Sequence, residues 1–157
     1  MKAVIQRVLS AAVEAEGERI ASVGRGFLLL LGVTAEDDEA AADRLAKKAA
    51  ELRIFEDETG RMNRSVRDID GSALVVSNFT LCADCRHGRR PEFLSAARPE
   101  RAEPLYRRFV DQLRLNGVRE VETGRFGADM RVSMEGDGPV TILLDTAEWR
   151  GNERVKE

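Results

Sequence analysis

MKAVIQRVLSAAVEAEGERIASVG, residues 1–24, holds two apolar runs joined by a short charged step with a glycine in it. MKAVIQRV alternates loosely and is rich in β-branched residues, which reads as a strand, and SAAVEA (10–15) continues the alternation. EGE (16–18) is a turn signal, so RIASVG (19–24) reads as the hairpin partner. FLLLLGV (27–33) follows as an unbroken apolar run bounded by glycines, the pattern of a strand covered on both faces.

From there the period changes. Thr34 opens TAED, which resembles a capping box, and Ala41, Leu45, Ala49 and Leu52 recur at helical spacing, predicting a helix over 36–51. LRIFED (52–57) reads as a short strand, DETGRMN as a turn, and SALVVSNFTLC (72–82) as a strong strand. Ala102, Leu105, Tyr106, Phe109, Val110 and Leu113 mark an amphipathic helix from Pro99 to Asn116-Gly117. VREVETG, DMRVSM and VTILLDT read as the last strands, with GDGPVT (136–141) as a hairpin tip between the final two. The expected fold is α+β and β-rich: a curled antiparallel or mixed sheet, barrel-like, with two main helices packed outside. Residues 1–146 read as one domain and 147–157 as a charged, loose tail.

The chain has 157 residues, 25 Lys and Arg against 28 Asp and Glu, and a net charge of −3. Mild acidity argues against general nucleic-acid binding but leaves room for a local basic patch. Two cysteines make no disulfide framework, the N-terminus lacks the long apolar core of a signal peptide, and the longest apolar run is too short for a bilayer. A cytoplasmic protein without a membrane segment is expected.

Cys82, Cys85 and His87 look like a metal set, but with no other Cys or His they fall short of the usual zinc complement, so neither metal nor cofactor is expected. His87 is also the one imidazole available to a nucleophilic triad, and it sits among Arg86, Arg89 and Arg90. That loop, RHGRRP (86–91), reads either as a solvated turn or as a phosphate contact. SNFTL (77–81) turns an apolar strand polar through Ser77, Asn78 and Thr80, a weak sign of a pocket.

In order, MKAVIQRV, LRIFEDETGRMNRSV, SNFTLCADCRHGRRPEF, ETGRFGADM and GDGPVTILLD closely resemble the D-aminoacyl-tRNA deacylase family of the bacterial and general eukaryotic type, over residues 1 to about 146. The resemblance implies a homodimer, without metal or cofactor, that hydrolyses the ester joining a D-amino acid, or mischarged glycine, to the terminal adenosine of tRNA. Its two signatures fall on Ser77, Asn78, Phe79 and Thr80, and on Gly138, Pro139, Val140 and Thr141. It implies that the Gly-cis-Pro loop of one subunit enters the other's site and that Arg7 braces that loop. Phe126, Gly127 and Met130 are expected around the adenosine, and Arg86, Arg89 and Arg90 near tRNA phosphates. A cis bond turns two successive carbonyls the same way, and proline makes it accessible. The result is a main-chain wall that an L side chain would strike and a D side chain would avoid. Catalysis is expected from backbone N–H groups around Phe79 and Thr80 and from the ribose 2′-hydroxyl. Two alternatives are Thr80 as nucleophile and a non-catalytic RNA-binding protein of the same fold. Departures from the family pattern are Asn78 for the usual Gln, Gly136 for Asn, and Cys82, Cys85 and His87 for Tyr, Thr and Lys.

Overall fold

The structure, a computed structural model, describes residues 1–149. Strand β1 (Lys2–Ala15) is its spine. One edge pairs antiparallel with β8 (Met130–Asp145) from end to end; the other pairs first with β3 (Gly26–Gly32) and then with β2 (Glu18–Val23). β3, β6 (Ser72–Ser77) and β7 (Glu120–Thr123) run parallel to one another, completing the order β2-β1-β3-β6-β7. Parallel neighbours need long crossovers. Helix α1 (Glu39–Glu51) lies in the crossover from β3 to β6 and α2 (Pro99–Leu115) in that from β6 to β7. The mixed sheet nearly closes into a barrel with both helices outside it, as the patterning implies. A two-stranded hairpin, β4 (Phe55–Glu56) and β5 (Met62–Arg64), stands apart.

The apolar run at 27–33 is buried on both faces because two cores meet it. Phe27, Leu29 and Leu31 join Ala3, Ile5, Val75 and the inner faces of both helices. Leu28 joins Val8, Val13, Leu74 and Val76 inside the curl. β1 therefore serves one core with its first half and the other with its second, changing sides where its register with β8 shifts. Gly26 sits where β3 meets β6: at φ +159°, a Cβ there would lie 1.8 Å from the Ser72 carbonyl oxygen.

Four local expectations are corrected. α1 starts at Glu39, not 36, because Asp38 accepts the Ala41 N–H (2.8 Å) while Thr34 donates its N–H to Asp37 (2.6 Å). Asp37 is buried and also accepts from the α-amino group of Met1 at 2.5 Å. The strand at 52–57 shortens to Phe55–Glu56, and that at 72–82 ends at Ser77, giving way to a 3-10 turn, Phe79–Cys82. The hairpin tip at 136–141 does not exist: β8 runs through it, because β1 supplies one continuous partner edge on both sides. At the chain's end, Thr146–Trp149 form a 3-10 turn, with Trp149 against the core and Arg44 5.2 Å above its ring. The rest of the charged tail, 150–157, lies outside the described residues. Among those described, no helix is long and apolar enough to cross a membrane.

Tyr106, the one tyrosine, donates from its hydroxyl to the Val75 carbonyl (2.8 Å), which also accepts the Gly124 N–H at 3.1 Å. Burial pushes its phenol up from 10 to about 12. The unfolded chain then ionises first, so this group's stabilisation is complete below pH 10 and is lost as pH rises towards 12. Tyr106→Phe is expected to flatten that alkaline decline in melts taken against pH. Because Val75 keeps a second donor, the loss at neutral pH should be only about 1 kcal/mol.

Candidate active site

At the end of β6 the Asn78 N–H bonds the Leu31 carbonyl (2.8 Å), which stitches the strand end to β3. Asn78 is extended, and its side-chain oxygen turns forward to accept the Thr80 N–H at 3.2 Å and the Thr80 hydroxyl at 2.5 Å. The Thr80 amide, expected as an oxyanion donor, is thus already engaged. The Phe79 amide has no acceptor among the described residues, as befits the first residue of a helical turn. The short Asn78 side chain closes this small cap.

Ser77, Asn78 and Phe79 stand at the edge of a cavity of about 700 Å³. Leu28, Leu30 and Val76 form its floor, and Phe126, Gly127, Met130 and Val132 its far wall. Two groups expected from distant parts of the sequence are therefore brought together here. The aliphatic floor was not foreseen, since a strand buried on both faces shows no alternation to reveal which residues point inward. Among the described residues, none that lines the cavity is titratable. Thr80 does not line it, and its hydroxyl hydrogen is spent on an amide oxygen, which is no base. An apolar hollow with a few fixed polar groups is the usual form of a small-ligand site.

Gly138, Pro139, Val140, Thr141 and Arg7 lie elsewhere; none of them lines this cavity. β1 pairs Val8 with Gly136 and Gln6 with Thr141, so residues 137–140 are extruded from β8 opposite Arg7. The Gly138–Pro139 peptide is cis, and Gly138 has φ +133°. Arg7 is buried; its guanidinium donates to the Asp137 carbonyl (3.1 Å) and the Ile54 carbonyl (2.8 Å) and lies 3.3 Å from the Asp137 carboxylate. The Thr141 hydroxyl donates to Gln6 Oε1 at 2.7 Å, closing the base of the bulge. Gln6 and Asp137 were not anticipated, because their roles appear only once β1 and β8 are paired.

A family model described as D-Tyr-tRNA(Tyr) deacylase matches residues 4–145. The chain belongs to this family. It is 58% identical over 146 residues to a D-aminoacyl-tRNA deacylase of Symbiobacterium thermophilum, covering 93% of this chain and 96% of that protein. A relative of the same name from Thermus aquaticus is 54% identical, covering 97% and 99%. A solved structure of a c-Myc DNA unwinding element binding protein superposes with TM-score 0.88 at 42% identity, covering 92% of this chain and 98% of that one.

Other candidate residues of this deacylase-family chain do not converge. Cys82 is buried, its Sγ 3.6 Å from the Val33 carbonyl oxygen, and burial pushes its thiol up. Cys85 and His87 are exposed, and among the described residues no three His, Cys, Asp or Glu groups are arranged to hold a metal ion. In the basic loop, the Arg86 guanidinium grips Asp84 (2.5–3.0 Å) and holds its carboxyl down at about 2. Arg89 and Arg90 are exposed. The loop returns to the cavity's edge through Phe93, whose ring meets Phe79 edge-on at 5.1 Å.

Proposed function

We propose that this chain hydrolyses the ester of D-aminoacyl-tRNA, and of glycine mischarged on tRNA, using main chain rather than reactive side chains. The observation that carries this reading is the Phe79 amide, without an acceptor among the described residues, at the edge of a cavity whose described wall has no titratable group, in a chain of the deacylase family. The terminal adenosine occupies the apolar end against Phe126, Gly127 and Met130. The ester carbonyl faces Phe79. Water adds to that carbonyl, the Phe79 N–H stabilises the oxyanion, and collapse expels the ribose 3′-oxygen, which takes a proton. The neighbouring 2′-hydroxyl orients the water and relays its proton to the departing 3′-oxygen, supplying what the described wall lacks.

Chirality is judged by Gly138 and Pro139. They do not border the cavity of their own chain, so the reading requires a second copy whose bulge closes the site. Its main chain faces the substrate's α-amino group and leaves no room for an L side chain. Glycine, with nothing to reject, is admitted, and D side chains are not read individually, as suits an editing enzyme.

The test compares D-tyrosyl-tRNA with L-tyrosyl-tRNA; equal rates, or none, would defeat the proposal. Thr80→Val is expected to keep activity within about tenfold, whereas a 2′-deoxy terminal adenosine should slow hydrolysis by about 10²–10⁴, the usual range for lost proton-transfer assistance. The reverse pattern would make Thr80 the nucleophile. A second reading, RNA binding without hydrolysis, draws on the nucleic-acid-binding name carried by the 42%-identical structure. It predicts tRNA binding with no chiral difference in ester lifetime.

A further inference from the structure

Phe126 lines two hollows. On one side is the apolar cavity; on the other is a groove of about 580 Å³ between α2 and the chain after β7. Arg107, Arg114 and Arg125 line this groove against two carboxylates, Glu103 and Asp111. Positions 103, 107, 111 and 114 follow helical spacing, so one stripe of α2 forms the wall. The sequence alone makes this stripe look merely solvated, with acids and bases in near balance.

We propose that this groove holds the phosphodiester backbone of the nucleotides preceding the terminal adenosine. The inference rests on the reading that the adenosine occupies the adjoining cavity. All three guanidiniums reach solvent, with 73, 49 and 48% of the side chain exposed. Their carboxylate partners stand at 2.7 Å (Arg107–Glu103), 3.3 Å (Arg114–Asp111) and 3.7 Å (Arg125–Glu16). Exposed pairs of this kind are weak and exchangeable. A phosphodiester offers each fork the same two-oxygen geometry while remaining charged at any working pH. The rival route, past the basic loop, is poorer. There Arg86 is already tied to Asp84, and the hollow beside it sets Lys2 and Arg86 against Asp84 and Glu92. Among the described lining residues the groove sets three cations against two carboxylates, Glu16 lying outside it, and the hollow sets two against two; Arg89 and Arg90 of the loop line neither.

The experiment measures binding of uncharged tRNA against salt, and hydrolysis of D-tyrosyl-tRNA alongside D-tyrosyl-adenosine. For Arg107→Gln/Arg114→Gln/Arg125→Gln, the slope of log K against log salt should shrink by about 2, at ~0.7 for each single-strand phosphate left without its cation. KM for D-tyrosyl-tRNA should rise about tenfold or more at moderate salt, while hydrolysis of D-tyrosyl-adenosine stays unchanged. Lysine at the same three positions should restore the salt slope, which a merely structural role for these arginines would not do. An unchanged slope, an equal loss on the adenosine ester, or the same loss from Arg86→Gln/Arg89→Gln/Arg90→Gln instead would overturn the proposal. A wild-type protein that cleaves neither D ester would defeat the functional reading itself; one that cleaves both while the triple variant binds tRNA normally would defeat only the groove.

Discussion

Gly138→Ala should lower kcat/KM for D-tyrosyl-tRNA about a hundredfold and pull the ratio of D to L hydrolysis towards one. At φ +133° the new Cβ would lie 2.7 Å from the Val140 nitrogen and 2.9 Å from Val140 Cγ2. Both atoms belong to the bulge itself, so relief can come only by moving the bulge. The φ adds strain that no L side chain escapes. Displacement by about 1 Å of a group that positions substrate is worth about 10²-fold in rate. Stability should fall by only about 1–3 kcal/mol, the usual cost of a strained backbone position, because the residue is exposed and the β1–β8 ladder resumes on either side. Steady-state kinetics on the two esters, with a thermal melt as control, decides it. Unaltered selectivity in a folded Gly138→Ala protein would remove Gly138 from the stereochemical wall.

Arg7→Met should cost about 3–5 kcal/mol, chiefly the two charge-assisted hydrogen bonds it removes, and should relax the same selectivity. Arg7 is 6% exposed and joins the Asp137 carbonyl and carboxylate to the Ile54 carbonyl. It thus ties the bulge to the segment entering β4. Methionine fills much of the volume but leaves two carbonyl oxygens without their donor, and each bond to a charged group is worth roughly 1.5–3 kcal/mol. At about 2–4 °C per kcal/mol for a domain near this size, the melting temperature should fall by roughly 10 °C. Arg7→Lys keeps the charge but not the two-directional fork, so it should lie between. A normal melt in Arg7→Met would show that these bonds contribute nothing net. A lowered melt with full D-over-L discrimination would show that Arg7 stabilises the protein without bracing the site.

The β1–β2 hairpin was legible because its signals are local. EGE at 16–18 announces a turn, and the runs beside it alternate. The parallel neighbours β3, β6 and β7 were legible as strands but not as partners, since alternation says nothing about what lies alongside. Gly138-Pro139 misled for a related reason. The same residues suit a hairpin tip and a bulge thrown out of a through-running strand, and only the distant β1 chooses between them. TAEDD offers several caps in a row; Asp38 takes the role because Asp37 is drawn inward by Thr34 and the α-amino group of Met1. Around the cavity, Ser77, Asn78, Phe79, Phe126, Gly127 and Met130 were picked out through family likeness, whereas Leu28, Leu30 and Val76 look like any other core residues until the curl of the sheet gives them a hollow to face.

The described wall of the cavity holds apolar side chains and neutral polar groups, and nothing that ionises. Acidification finds nothing in this described lining to switch. Within that wall, charge arrives only with solvent and cargo.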